Sequence, residues 1–236
     1  DPFAFWYHWR FAHLPYNPPD HKRVFPPANN LEEEPPERIK TLIQTEVLIP
    51  YTENMEWTTE ERKWIDALYD AQLKYFDDDF ERIRQKLVQL DIFDNTIIII
   101  TADHGEELLE HGHVGHASTA VSSRHFDEHL HIPLVILAPD VIQEGRVIDT
   151  MVQQVDILPT VFDMMGWDIP ETVQGRSLLP AIRGQPMVDM PVYAESVDGG
   201  YQSKPSQRST FIRSVRTRDW KLIAHASPRG EDFNLY

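Results

Sequence analysis

The chain has 236 residues, a formal net charge of −16, 41% hydrophobic residues and no cysteine. That length and apolar content provide for a sizeable core, while the negative charge disfavours nucleic acid and anionic membranes as partners. No apolar run reaches the roughly 18 residues of a spanning helix, so no membrane insertion is expected, and the missing thiols exclude disulfides, zinc–thiolate sites and a cysteine nucleophile without fixing a compartment.

The chain opens at Asp1 without an initiator methionine and runs at once into Phe3-Ala4-Phe5-Trp6-Tyr7. This aromatic-rich stretch predicts a strand through Trp9, and the opening is expected to lie inside a domain of a longer protein. His8 and His13 precede a proline-rich loop, Leu14-Pro15-Tyr16-Asn17-Pro18-Pro19. Residues 21 to 56, with Pro26-Pro27, Asn29-Asn30, Glu32 to Glu34 and Pro35-Pro36, read as an irregular surface excursion. Thr58 and Glu61 then form a capping-box pattern. Trp64, Leu68, Ala71, Tyr75, Phe80, Ile83, Leu87 and Leu90 recur at helical spacing, predicting a long helix that covers one face of a sheet.

Ile97 to Ile100 show no alternation, which suits an interior strand of a parallel sheet covered on both faces. The strand ends in Asp103-His104-Gly105, a carboxylate and an imidazole where open α/β sheets place their ligands. The pair suits a divalent cation, and His111, His113 and His116 follow within the same short stretch. Glu128 to Ile136 predict a second buried strand. Asp156 is expected to cap a short helix that buries Ile157, Leu158, Val161 and Phe162. From Pro191 onward, apolar alternation bounded by turn formers predicts antiparallel strands, with Arg213, Arg216 and Lys221 on their faces.

Several of these segments resemble the sulfatase family, in the alkaline-phosphatase-like superfamily. The central run matches as Asn95-Thr96, Thr101-Ala102-Asp103-His104-Gly105-Glu106 and Glu110-His111-Gly112 followed by Gly115-His116. The opening matches through His8, His13, Pro15, Tyr16, Pro18 and Pro19, although Arg10, Phe11 and Ala12 depart from the family pattern. Val155-Asp156-Ile157-Leu158-Pro159-Thr160, Gly166, Pro170 and Gln174-Gly175-Arg176-Ser177-Leu178-Leu179-Pro180 track it closely, and the chain ends in Asn234-Leu235-Tyr236.

The resemblance implies an α/β fold with a mostly parallel, helix-flanked sheet over residues 1–185 and a small antiparallel subdomain over 186–236. It implies a sulfuric ester hydrolase in which Asp103 and His104 bind a divalent cation. Ca²⁺ is the expected ion, with Mn²⁺ and Mg²⁺ as alternatives. His13 would contact the sulfate and help protonate the leaving oxygen, and His116 would be the second catalytic histidine. The spacing between His116 and Phe126 exceeds the family's form, so His125 competes for that place and is a candidate substrate-binding residue. Sulfatases take their nucleophile, formylglycine, from a Cys/Ser-x-Pro/Ala-x-Arg motif, and no such motif occurs here. The chain is therefore expected to carry only part of an active site. Its expected partners are a sulfated small molecule or glycan and an amino-terminal part of the same protein, with no nucleic acid. A phosphoesterase or phosphonate hydrolase of the same superfamily and a non-catalytic scaffold or binding module stand as alternatives.

Overall fold

The computed structural model describes residues 3–10, 12–19, 35–44, 56–116, 125–197, 211–228 and 230–236. The helices are α1 (Glu37–Gln44), α2 (Thr59–Gln89), α3 (Asp127–Leu130), α4 (Ile157–Met164) and α5 (Leu179–Ile182), with a 3₁₀ turn at Gln154–Asp156. The strands are β1 (Ile98–Thr101), β2 (Glu107–Leu108), β3 (Val114–Gly115), β4 (Leu134–Leu137), β5 (Val192–Val197), β6 (Phe211–Arg216), β7 (Lys221–Ser227) and β8 (Gly230–Leu235). They fall into two compact units, one of Asp1–Asp91 with His104–Val121 and one of Ile92–Asp103 with Ser122–Tyr236.

In the first unit the capping box forms as its sequence dictates. Glu61 N donates to Thr58 Oγ1 at 3.2 Å and Thr58 N donates to Glu61 Oε2 at 2.9 Å. Arg38 of α1 forks onto the same carboxylate, Nε to Oε1 at 2.7 Å and Nη2 to Oε2 at 2.6 Å. That guanidinium holds the Glu61 carboxyl below its usual pKa, and the bidentate geometry fastens α1 to the first turn of α2. Trp64, Ile65 and Leu68 then bury against Ile39, Trp57, Leu14, Tyr16, Leu109 and Val114. The helical periodicity runs on to Leu90, but Ile83, Val88 and Leu90 are exposed. Periodicity reports a face able to pack; among the described residues the first half of α2 packs on α1, the proline loop and the β2–β3 hairpin, while most apolar positions of its last turns stay exposed. Helix α1 itself interrupts the stretch read as irregular, while residues 20–34 and 45–55 lie outside the described residues.

The strand expected at Phe3 to Trp9 does not form. These residues meet the propensity for a strand, but no described strand pairs with them, and a strand without a neighbour leaves its amides unpaired. Phe3, Phe5 and Trp6 are exposed, and Trp9 instead lies on α2, donating to Asp79 Oδ2 at 3.1 Å and meeting Phe76 edge-on at 5.1 Å.

The second unit corrects the expected strand direction. β1 pairs with β4 antiparallel, from Ile98 opposite Leu137 to Thr101 opposite Leu134, and no parallel pair occurs among the described residues. A row of isoleucines encodes burial of both faces, not the direction of the neighbouring strand, and here β1 is half-buried. The predicted strand over Glu128 to Ile136 is also shorter. Asp127 and Glu128 occupy the first turn of α3, where acidic side chains suit the helix dipole, and β4 starts only after Pro133. Leu178, Leu179 and Ile182 pack with Leu134 and Ile136 of β4.

Asp156 is buried, yet it does not cap α4 as predicted. Its Oδ2 accepts from Gln153 N and its Oδ1 from Arg176 N, each at 2.9 Å, so it closes the 3₁₀ turn and pins the loop that returns past it. Of the residues expected to bury with α4, Leu158 is exposed, and Pro159 and Thr160 are buried instead. Gly175 makes that loop possible. Its φ is +86°, and a Cβ there would come 2.3 Å from Val155 O and 2.9 Å from Asp156 Oδ1. Gly175→Ala is accordingly expected to cost about 3 kcal/mol, from the left-handed backbone and the overpacking together. Urea unfolding compared with wild type checks this, and an unchanged midpoint would remove the loop's assigned role. From Val192 onward, β5 to β8 form the expected antiparallel sheet in sequential order.

Candidate active site

Three of the motif histidines meet inside the first unit. The proline loop carries His13, the segment after β1 carries His104, and the hairpin delivers His116 immediately after β3. The His13 and His116 ring centroids are 4.5 Å apart, and those of His104 and His116 4.2 Å. Each ring presents Nδ1 to an acceptor. His13 faces the carbonyl of Leu14, and His104 faces that of Gly105 at 2.8 Å. His116 Nδ1 lies 3.4 Å from Glu106 Oε1. A carbonyl accepts and cannot donate, so Nδ1 of His13 and of His104 carries a hydrogen. His8 stays outside the cluster, stacked on Trp6 at 5.8 Å. Glu106 and Gly115 belong to the sequence motif, but only the hairpin brings the Glu106 carboxylate to His116 and sets Gly115 against it.

His125 has other neighbours. It is buried, with Nδ1 2.9 Å from Ser214 Oγ and Nε2 2.9 Å from Ser196 Oγ, so one serine donates to the neutral ring and the other accepts from it. Residues 117–124, which carry the extra length before it, lie outside the described residues. Burial pushes the His125 pKa down to about 4, with the charges of Lys221, His225 and His129 acting in the same direction. The unfolded chain takes up that proton near pH 6.5 and the folded chain only near 4. The stability His125 contributes is therefore full above about pH 6.5 and is lost as pH falls toward 4, by up to about 3 kcal/mol. Denaturant titrations at pH 7 and 4.5 measure the loss, and His125→Gln should flatten it; an equal slope in both proteins would contradict this assignment. The strand cations are paired rather than presented. Arg213 Nε donates to Glu195 Oε2 at 2.7 Å, Lys221 Nζ donates to Asp127 Oδ1 at 2.8 Å, and Arg216 lies 3.4 Å from the same carboxylate.

Comparison with known proteins identifies the family. Residues 1–167 match the family model described as Sulfatase, and residues 123–236 match that described as N-sulphoglucosamine sulphohydrolase, C-terminal. The chain belongs to the sulfatase family. It is 36% identical over 181 residues to Arylsulfatase K of Canis lupus familiaris, a match covering 75% of this chain and 32% of the relative. It is 26% identical over 186 residues to the Delta 4,5-hexuronate-2-O-sulfatase of Bacteroides thetaiotaomicron, covering 77% and 36%. Among solved structures it resembles the phosphonate monoester hydrolase of Silicibacter pomeroyi, with a TM-score of 0.63 and 27% identity over 78% of this chain and 36% of that one. The chain thus spans about a third of the length of these relatives. Its fold class is the alkaline-phosphatase-like α/β class of sulfatases, with a C-terminal antiparallel sheet.

Sulfatases generally use a divalent cation, and the donors on this chain fit part of its shell. Asp103 is an exposed carboxylate, and His104 turns Nδ1 to the Gly105 carbonyl at 2.8 Å, the arrangement in which a neutral imidazole can ligate a metal through Nε2. The Asp103 loop is fixed from behind by Gln154, whose Nε2 donates to the carbonyls of Ala102 at 2.8 Å and Asp103 at 3.4 Å. Among the described residues no group of three or more His, Asp or Glu is arranged to hold an ion. Two donors do not complete the roughly six to eight ligands of Ca²⁺.

Proposed function

We propose that this chain supplies acid–base histidines and one side of a cation site for hydrolysis of a sulfate ester by a longer protein. The observation that carries this reading is the convergence of the His13, His104 and His116 rings from three separate segments. His13 would bind the sulfate and protonate the leaving oxygen, a task suited to an imidazole near neutral pH. His116 would be the second acid–base group. His125, with serine hydroxyls at both ring nitrogens, is assigned to the framework. Asp103 and His104 would hold the cation, Ca²⁺ first, with Mn²⁺ and Mg²⁺ as alternatives. When bound, the ion polarises a sulfate oxygen and stabilises developing negative charge. The formylglycine motif is absent from this sequence, so the nucleophile is assigned to another part of the protein. Residues 1–185 are assigned to the catalytic part and 186–236 to the small subdomain, whose sheet begins at Val192.

The likeness to a hexuronate-2-O-sulfatase favours a sulfated glycan as substrate, and the likeness to a phosphonate monoester hydrolase keeps a second reading alive. Parallel kcat/KM measurements on an aryl sulfate and a phenyl phosphonate ester, using the longer protein, separate the two. The sulfate ester is expected to be preferred by at least about tenfold, roughly 1.4 kcal/mol of transition-state binding. A reversed preference would replace this reading with the second, and activity on neither would leave a non-catalytic scaffold.

A further inference from the structure

We propose that Glu106 is a positioning residue for His116: its carboxylate accepts from His116 Nδ1, fixing the ring's orientation and tautomer so that Nε2 carries the lone pair. This rests on the catalytic assignment of His116 for its meaning, but not for its geometry. β2 and β3 pair with Glu107 opposite Gly115 and Leu108 opposite Val114, so Glu106 and His116 fall opposite one another at the next step of the ladder. Both side chains are largely sealed, 4% exposed for Glu106 and 11% for His116, with Oε1 3.4 Å from Nδ1.

The space for that carboxylate is provided by a missing side chain. Gly115 has a φ of +88°, and a Cβ there would lie 2.9 Å from Glu106 Oε1 and 2.6 Å from Leu14 Cδ1. Any other residue before His116 would push against the carboxylate and the proline loop at once. Tyr16, fully buried, stands beside the same group; burial, and after it the Glu106 charge, keep its phenol protonated by raising its pKa well above the usual value. A carboxylate so enclosed has little freedom to leave the ring.

The other two rings are oriented differently. His13 and His104 place Nδ1 on the carbonyl of the residue that follows each of them. Those contacts come with the backbone, whereas His116 alone among the three has its Nδ1 set by a replaceable side chain. An imidazole without such a partner distributes its hydrogen between both nitrogens, and rotates.

The test reads the tautomer directly. Long-range ¹H–¹⁵N correlation spectra of the labelled chain, at a pH where the rings are neutral, report which nitrogen of His116 bears the hydrogen; the His116→Gln spectrum assigns the signal. Wild type should show the Nδ1–H form. Glu106→Met keeps the length and removes the acceptor, and should shift the signal toward Nε2–H, while Glu106→Gln, whose amide oxygen still accepts, should largely restore it. The His125 signal monitors folding, and if Glu106→Met fails to fold, Glu106→Ala gives the same readout. In the longer protein Glu106→Met should lower kcat by about 10- to 100-fold with KM nearly unchanged, and Glu106→Gln should recover most of it. An Nδ1–H signal that persists without the carboxylate overturns the inference, whatever the activity. A tautomer that switches in a protein active on neither ester leaves the positioning intact and removes the catalytic reading instead.

Discussion

Assayed alone, the 236-residue chain is expected to give no turnover of an aryl sulfate above buffer, with or without added Ca²⁺. Sulfate-ester hydrolysis is accelerated by a nucleophile held close to sulfur and by preorganised charge around the transition state. The sequence has no cysteine and no serine in the family's motif frame. It therefore lacks the source of that nucleophile, and proximity contributes nothing to the rate. The charge term is weakened as well. Asp103 and His104, the proposed ligands, would supply two donors to an ion that takes about six to eight, so Ca²⁺ should bind the chain weakly and be removed by a chelator. Isothermal titration with Ca²⁺ measures the second statement independently of the first. Turnover that depends on metal and disappears in Asp103→Ala would require a nucleophile within these residues and would overturn the division of the site.

The sequence made the motif residues visible because their spacing is dense and their chemistry unusual: Asp103-His104-Gly105 after four isoleucines, and Gly115-His116 after a turn. It also showed the capping box at Thr58, since the two residues that form it are three apart and need no tertiary partner. What failed to show were features that depend on a neighbour. Phe3 to Trp9 have a strand's composition, but pairing decides whether they become one. Ile97 to Ile100 declare two apolar faces, and the antiparallel direction of β4 is silent in that pattern. Asp156 sits at a helix start, where capping is the local expectation, yet Arg176 N, 20 residues on, takes one of its oxygens. The nearness of Glu106 to His116 is silent for the same reason: it is made by hairpin register, which short strands of two residues leave unwritten. His125 competes with His116 as a residue type, and their neighbours separate them: serine hydroxyls at both ring nitrogens of His125, and the His13 and His104 rings with Glu106 around His116.

Replacing His13 or His116 in the longer protein is expected to reduce kcat on a sulfate ester by about 10²- to 10⁴-fold, the range of a positioned acid–base group. The two rings are near-neighbours, 4.5 Å between centroids, and groups that act on one reacting centre do not contribute independently. His13→Ala combined with His116→Ala should therefore cost little more than the worse single change, not the product of both. The roles divide by leaving group. If His13 protonates the departing oxygen, its removal matters least for a nitrophenyl sulfate, which leaves readily as an anion, and most for an alkyl or sugar sulfate. The loss from His116→Ala should be similar for both esters. Rates for the two single variants and the double variant, on one ester of each kind, supply the comparison. Multiplicative losses would show that the rings work at separate steps or sites. Equal sensitivity of both variants to the leaving group would withdraw the assignment of the acid to His13, while leaving the cluster itself as the place where the chemistry occurs.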